Sequence, residues 1–356
     1  MQYLPIHGRG ASFNPPNRFE RLSYEPDPEW QDPDEPDPWR TTQYFRDAAR
    51  TVLTRNNSPD VPFDVGLNPY RGCSHGCAYC FARPNHEYLG LSAGLDFESK
   101  IFVKLEAPEL LRAELSSPRW NPEPIIMSGV TDPYQPAERR FRITRGCLEV
   151  LAEFRNPIAI ITKNHLVTRD VDLLAELASH QAAIVNISIT SLDPKLQRVM
   201  EPRTSIPKRR LAAVETLSRA GVPVNVMVAP VIPGLNDHEV PSILSAAAAA
   251  GARSAGFIPL RLPGAVAEIF QRWLSDHFPE RKERVLNRIR EIRGGRLNDP
   301  RFGSRMRGSG PYWEQMRAMF QAVIRREGLD QERPSLSTAA FRRPDPGGQL
   351  RLFSEP

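Results

Sequence analysis

Three of the chain's four cysteines, Cys73, Cys77 and Cys80, fall within eight residues. They sit in Asn68-Pro-Tyr-Arg-Gly-Cys73-Ser-His-Gly-Cys77-Ala-Tyr-Cys80-Phe81, a Cys-x3-Cys-x2-Cys spacing. Thiolates crowded in this way favour an iron–sulfur cluster or zinc, and a reducing compartment, over a disulfide framework. Only three ligands are offered locally. A cubane cluster held by three cysteines keeps one iron open to a non-protein ligand, whereas a structural zinc site needs a fourth protein donor. For zinc that donor would be His75, His86 or the distant Cys147, and both readings stand at this point. Gly72 and Gly76 let the backbone curl close to bound sulfide. Cys147, inside Arg145-Gly-Cys-Leu-Glu-Val, reads as a small core residue of a helix.

Positioning such a loop falls to a run of short apolar strands alternating with amphipathic helices. Strands are expected at 63–67, 100–104, 124–127, 158–162, 183–189, 223–228 and 255–260, with helices at 138–154, 171–179, 207–220 and 239–250. Near-continuous apolar strands of this kind are those of a parallel sheet covered on both faces. About six βα units are visible, which favours an α/β fold with a partial (β/α)6 TIM-type barrel over a closed eight-fold one. The expected core spans 61–265. A helical extension over 266–330 follows, with helices at 265–278, 280–293 and 312–327. Residues 1–60 read as an extended, partly disordered Pro-rich arm, with Gly8–Ala11 and Arg18–Glu20 as local docking points. Residues 331–356 read as a disordered tail.

The cysteine loop after the first core strand, with an aromatic residue ahead of its last cysteine, resembles the signature of the radical S-adenosylmethionine (SAM) superfamily. The resemblance implies a [4Fe–4S] cluster on Cys73, Cys77 and Cys80. SAM would chelate the open iron and be cleaved reductively to methionine and a 5′-deoxyadenosyl radical that takes hydrogen from substrate. It also implies an electron donor such as flavodoxin or ferredoxin. Tyr79 stands where the superfamily places an aromatic residue near the adenine. Thr131-Asp-Pro-Tyr-Gln-Pro136 and Glu201-Pro-Arg-Thr204 resemble elements of the spore photoproduct lyase-like branch, also called DNA repair photolyase-like.

Active residues of β/α barrels collect at strand C-termini, and those ends supply the remaining candidates. Ser128 occupies the position that binds the SAM amino group in the superfamily, and Lys163 is placed to pair with the SAM carboxylate. Asn186, Ser188 and Thr190 alternate toward the barrel lumen, where polar groups need a partner that a bound cofactor would supply. Ser188 and the fork of Arg203 join the SAM set. The loop Ala229–Asp237, with Ile232 and Gly234, resembles the one that packs on adenine. Asp132, Tyr134 and Gln135 are expected on the substrate side. One departure matters: the lyase carries a hydrogen-donating cysteine just ahead of its SAM-binding serine, and this chain has Ile126 and Met127 there. Spore photoproduct itself is therefore disfavoured as substrate.

Composition narrows the partners. With 40% hydrophobic and 25% charged residues, and no apolar run of membrane-spanning length, the chain reads as a cytoplasmic protein without a membrane partner. A net charge of +5 permits a nucleic acid substrate. A peptide or small metabolite is the alternative substrate class, although a second cysteine cluster of the kind used by auxiliary-cluster peptide modifiers is lacking. A non-catalytic zinc-binding module is the alternative of another class.

Overall fold

A computed structural model describes residues 5–20, 41–331 and 335–344. Among the described residues ten strands are formed, in chain order: β1 (Gln43–Arg46), β2 (Leu53–Arg55), β3 (Val65–Leu67), β4 (Tyr70–Arg71), β5 (Lys100–Val103), β6 (Ile125–Met127), β7 (Ile158–Thr162), β8 (Ala183–Ser188), β9 (Val224–Val231) and β10 (Ser254–Pro259). Six of them form a parallel run in the order β10-β9-β8-β7-β6-β3, and β2 adds an antiparallel edge on β3. β10 and β2 do not pair with each other, so the sheet is an open, partial barrel of six βα units. β5 stands apart from the main sheet, between β1 and β4 in a three-stranded sheet that carries the start of the cysteine loop.

The strands form where β-branched residues cluster, and the crossovers form where apolar residues recur at helical spacing. Helices Ala107–Ser116, Ile143–Phe154, Val171–Ser179, Pro207–Arg219 and Val240–Ala249 connect successive parallel strands. Pro207 starts its helix at the position where a missing N–H costs nothing, and Arg155, at φ 54°, ends another in the left-handed region. The outer face of the sheet, including Val65, Ile125, Ile160, Val185 and Val226, is buried under these helices in the main core.

Strand register then fixes the inner face. Thr54, Gly66, Ile126, Ala159 and Ile184 lie in one row across β2 to β8. Ile161, Asn186, Asn225 and Ser254 form a second row across β7 to β10. Helices Val266–His277, Lys282–Ile292 and Pro311–Arg326 follow β10, and Phe257 stacks on Phe320 and Trp313 of the last one.

Two segments expected to lack fixed structure pack against the body. In the arm, β1 and β2 join the two sheets and Ala11 is buried with Leu95 and Ile269. In the tail, Ser337 N–H bonds the Gln181 carbonyl at 2.9 Å and Arg342 N–H bonds that of Phe154 at 2.9 Å. The expected disorder is corrected over 335–344; the run Pro26–Pro38 and the last residues lie outside those described.

Candidate cluster and cofactor site

The cysteine loop leaves β4 and curls through two residues in the left-handed region, Gly72 at φ 76° and Gly76 at φ 69°. An L side chain is strained at both, and at Gly76 a Cβ would also meet the Glu98 carboxylate at 2.6 Å. Backbone bonds peg the loop: Cys73 N–H to Phe97 O (2.9 Å), Ala78 N–H to Met200 O (3.0 Å) and Cys80 N–H to Cys77 O (3.2 Å). Cys73 and Cys77 are buried and Cys80 is partly exposed; all three are free thiols. Burial, followed by the Glu201 carboxylate, pushes the Cys77 thiol well up. Burial and the neighbouring Cys73 push Cys80 up to about 11. Such a trio suits a group that brings its own positive charge, as iron does.

Three clamps hold the loop. On one side, Thr131 Oγ1 and Gln135 Nε2 donate to the Gly72 carbonyl at 2.7 and 3.1 Å, and Gln135 Oε1 accepts from Ser74 N–H at 2.9 Å. Next to them, Asp132 accepts from Thr162 Oγ1 (2.6 Å) and Lys163 N–H (2.8 Å) and pairs with His75 Nδ1 at 3.3 Å. Burial opposes charge on His75, but Asp132 and the Cys73 side chain outweigh it and raise its pKa to about 9. On the opposite side, Glu98 accepts from Gly10 N–H, Ala11 N–H and the Arg83 guanidinium. Arg83 also holds the Cys77 carbonyl through Nε and Nη2 at 3.0 and 2.8 Å. The third clamp is Glu201, fully buried, which takes hydrogen bonds from the Tyr79 hydroxyl, Thr190 Oγ1 and the Arg210 guanidinium.

This geometry sorts the candidates. Lys163 reaches the loop, with its ammonium 5.9 Å from the Tyr79 ring centroid and 3.3 Å from Ala229 O. Ser128 is half-buried at the end of β6 and touches Thr131 O at 3.3 Å. Ile232 lies in one apolar cluster with Cys77, Tyr79 and Leu260, and Gly234, at φ 80°, turns the chain beside it. Ser188 is buried at the end of β8, its carbonyl held by Arg210.

Other assignments change. Tyr134 and Gln135 are fully buried; Gln135 and Asp132 hold the cysteine loop, so none of the three offers a free face to a substrate. Arg203 spends its guanidinium on Gly8 O (3.0 Å) and Thr42 Oγ1 (2.9 Å), tying down the arm instead of forming a carboxylate fork. Asn186 finds its partner within the protein: Asn225 Nδ2 donates to it at 2.8 Å, and Ser254 continues the ladder.

Zinc fares no better. His75 is engaged with Asp132 and Asn164, His86 packs edge-on against Phe97 and Phe102, and Cys147 is buried in the main core. The fourth donor that a closed zinc site requires is thus engaged elsewhere, and three cysteine thiols on one loop are the donor set that a cubane cluster with one open iron takes.

Arg83, Glu98 and Arg210, each central to a clamp, were not singled out by the sequence. A lone charge in a row of residues carries no sign of burial; only the pairing made by the fold distinguishes these from surface charges.

A model of the radical SAM superfamily matches residues 67–247. An uncharacterized protein of Mycobacterium tuberculosis is 40% identical over 238 residues, covering 66% of this chain and 69% of that one. One of Methanocaldococcus jannaschii is 31% identical over 49% of this chain and 62% of its own. Among solved structures, a point mutant of spore photoproduct lyase superposes with a TM-score of 0.57 at 16% identity, over 80% of each chain. A second mutant of that lyase, with bound AdoMet and dinucleoside spore photoproduct, gives 0.55 at 16% identity, over 82% of this chain and 79% of that one.

Proposed function

Because the chain belongs to the radical SAM superfamily, whose members use a [4Fe–4S] cluster and SAM, we propose that Cys73, Cys77 and Cys80 hold that cluster for hydrogen abstraction from a nucleic acid or nucleotide substrate. The observation that carries this reading is the three-cysteine loop clamped from three sides, with Lys163 beside Tyr79 at its edge. Once bound, the cluster and SAM would supply the one-electron chemistry that removes hydrogen from the substrate's C–H bond. The chain's own part is to orient and to exclude water. Lys163 presents a cation for the SAM carboxylate. Ser128 presents a hydroxyl for its amino group. Tyr79 and Ile232 offer an apolar seat for adenine, and the turn at Gly234 lets the backbone come close to it.

The superfamily's chemistry requires an electron donor, and we assign flavodoxin or ferredoxin to that role in a cytoplasmic, reducing setting. No helix among the described residues is long and apolar enough to cross a membrane. A thiol donor of the lyase type is not supported, since Ile126 and Met127 occupy that position and Cys147 is shut into the main core. Modification of a peptide or small metabolite is the second reading.

The test is anaerobic reconstitution followed by reduction with SAM present. The expected result is a brown protein that forms 5′-deoxyadenosine, faster when its substrate is added. A fully loaded, reduced protein that forms none, with oligonucleotides or with cell extract, would sink the reading.

A further inference from the structure

The open edge of the sheet is crossed by an arginine-rich segment. Residues 293–307 carry five arginines against one acid, Asp299. One end is fixed to the loop that leaves β10: Arg293 Nη2 donates to Leu260 O at 2.7 Å, and Leu262 N–H bonds Asn298 Oδ1 at 3.2 Å. The other end is fixed to the connector after β2. There Gly303 N–H and Arg305 Nε reach Asp60 at 2.6 and 2.5 Å, and Arg305 Nη2 reaches Ser58 Oγ at 2.6 Å. The segment is thus a strap between the loops that follow the two edge strands, held at both ends.

Two aromatic rings stand out along it. Phe302 is 58% exposed and Phe81, the residue after Cys80, is 50% exposed. Each has a guanidinium against it: Arg305 lies 4.3 Å from the Phe302 centroid and Arg261 lies 5.4 Å from that of Phe81. Arg261, Arg293 and Arg305 crowd one another. Burial and then this mutual repulsion lower the ease of holding charge at Arg261, and bring Arg293 down to about 10. Arg261 Nε and Arg293 Nε are buried without a hydrogen-bond partner. A field of this kind attracts a polyanion. Ring faces interleaved with guanidinium groups select a polyanion with bases to stack, over an acidic peptide.

We propose that the strap, with Arg261 and Phe81, is a docking platform for a single strand of nucleic acid, stacking one base on Phe81 at the edge of the cluster loop and another on Phe302. The platform rests on the reading of the site as a radical SAM centre only for what happens to the docked base. Binding itself does not depend on that reading. Arg301 is paired with Asp299, so exposed Arg296 and Arg307 supply the charge for the phosphates, and the base on Phe81 lies next in sequence to Cys80.

The test uses the reconstituted full chain and fluorescein-labelled single-stranded DNA and RNA of one sequence, about 15 nucleotides long, read by anisotropy at several salt concentrations. The wild type is expected to bind at least one of them with a marked salt slope, and the tighter arm identifies the source. Phe302→Ala is expected to weaken binding about tenfold. The double variant Arg296→Glu/Arg307→Glu is expected to flatten the salt slope by between about one and two units. In both variants, 5′-deoxyadenosine formed without oligonucleotide stays at the wild-type level. Equal affinity in wild type and both variants, displacement by polyglutamate of matched charge, or duplex binding as tight and insensitive to Phe302→Ala would each overturn the platform. Oligonucleotide binding without any 5′-deoxyadenosine in the wild type would overturn the reading of the centre and leave the platform standing.

Discussion

At the scale of residues, the site is a loop whose shape is imposed by side chains outside it. Gln135 is the clearest case, since one amide satisfies both Gly72 O and Ser74 N–H. Gln135→Leu keeps the volume but strands the Ser74 N–H in a buried place, at a cost of about 1–3 kcal/mol. The expected result is a folded chain with a modestly lower melting temperature and clearly lower iron and sulfide content after reconstitution. Unchanged iron content would show that the clamp does not govern the loop. The cysteine trio was legible because its spacing is itself the chemical signal. Gln135 and Asp132 were legible as important but not in their direction. Thr131-Asp-Pro-Tyr-Gln-Pro136 marks a block, and only the backbone path decides whether its side chains face a substrate or the loop behind it. Arg203 was misread for the same reason, because the arm it ties down carries no sign of where it docks.

At the scale of elements, the segment Arg83–Leu89 links the cysteine loop to the small sheet, and His86 is its buried anchor. Burial lowers its pKa to about 4, against the opposing pull of Asp96 and of backbone contacts at Lys100 and Asp96. Since the folded value lies below the unfolded one of about 6.5, His86 leaves stability intact above pH 6.5 and removes it as pH falls toward 4. Between pH 7 and pH 5 the loss from this group is about 2 kcal/mol. Urea unfolding of His86→Gln should show a flatter pH dependence across that interval than the wild type, whatever the variant's stability at pH 7. Parallel slopes would exclude His86 as the source. The parallel strands β6 to β10 were legible from their apolar runs, with β7 matched at both ends and no end off by more than three residues. β2 was not, since three residues carry too little periodicity to signal a strand. The separate sheet of β1, β5 and β4 depends on pairings far apart in sequence, which no local pattern records.

At the scale of the whole molecule, an open barrel leaves its cysteine loop in need of cover, and the arm supplies part of it. Gly10 lies so close to the loop that a Cβ there would sit 1.8 Å from Gly76 O and 2.9 Å from Ala78 N. Both atoms are backbone, so nothing can swing aside. Gly10→Ala must therefore lift the arm, and with it the two N–H groups that Glu98 accepts beside Arg83. The main core, built around the sheet and its helices, does not include this contact, so the variant is expected to fold. Its arm should become cleavable by protease around residues 5–15, and its cluster should bleach in air several-fold faster than that of the wild type. If arm cleavage rises while bleaching does not, the arm is a passive tether. If neither changes, the close approach of Gly10 to Gly76 is not maintained in solution and the arm does not cover the loop.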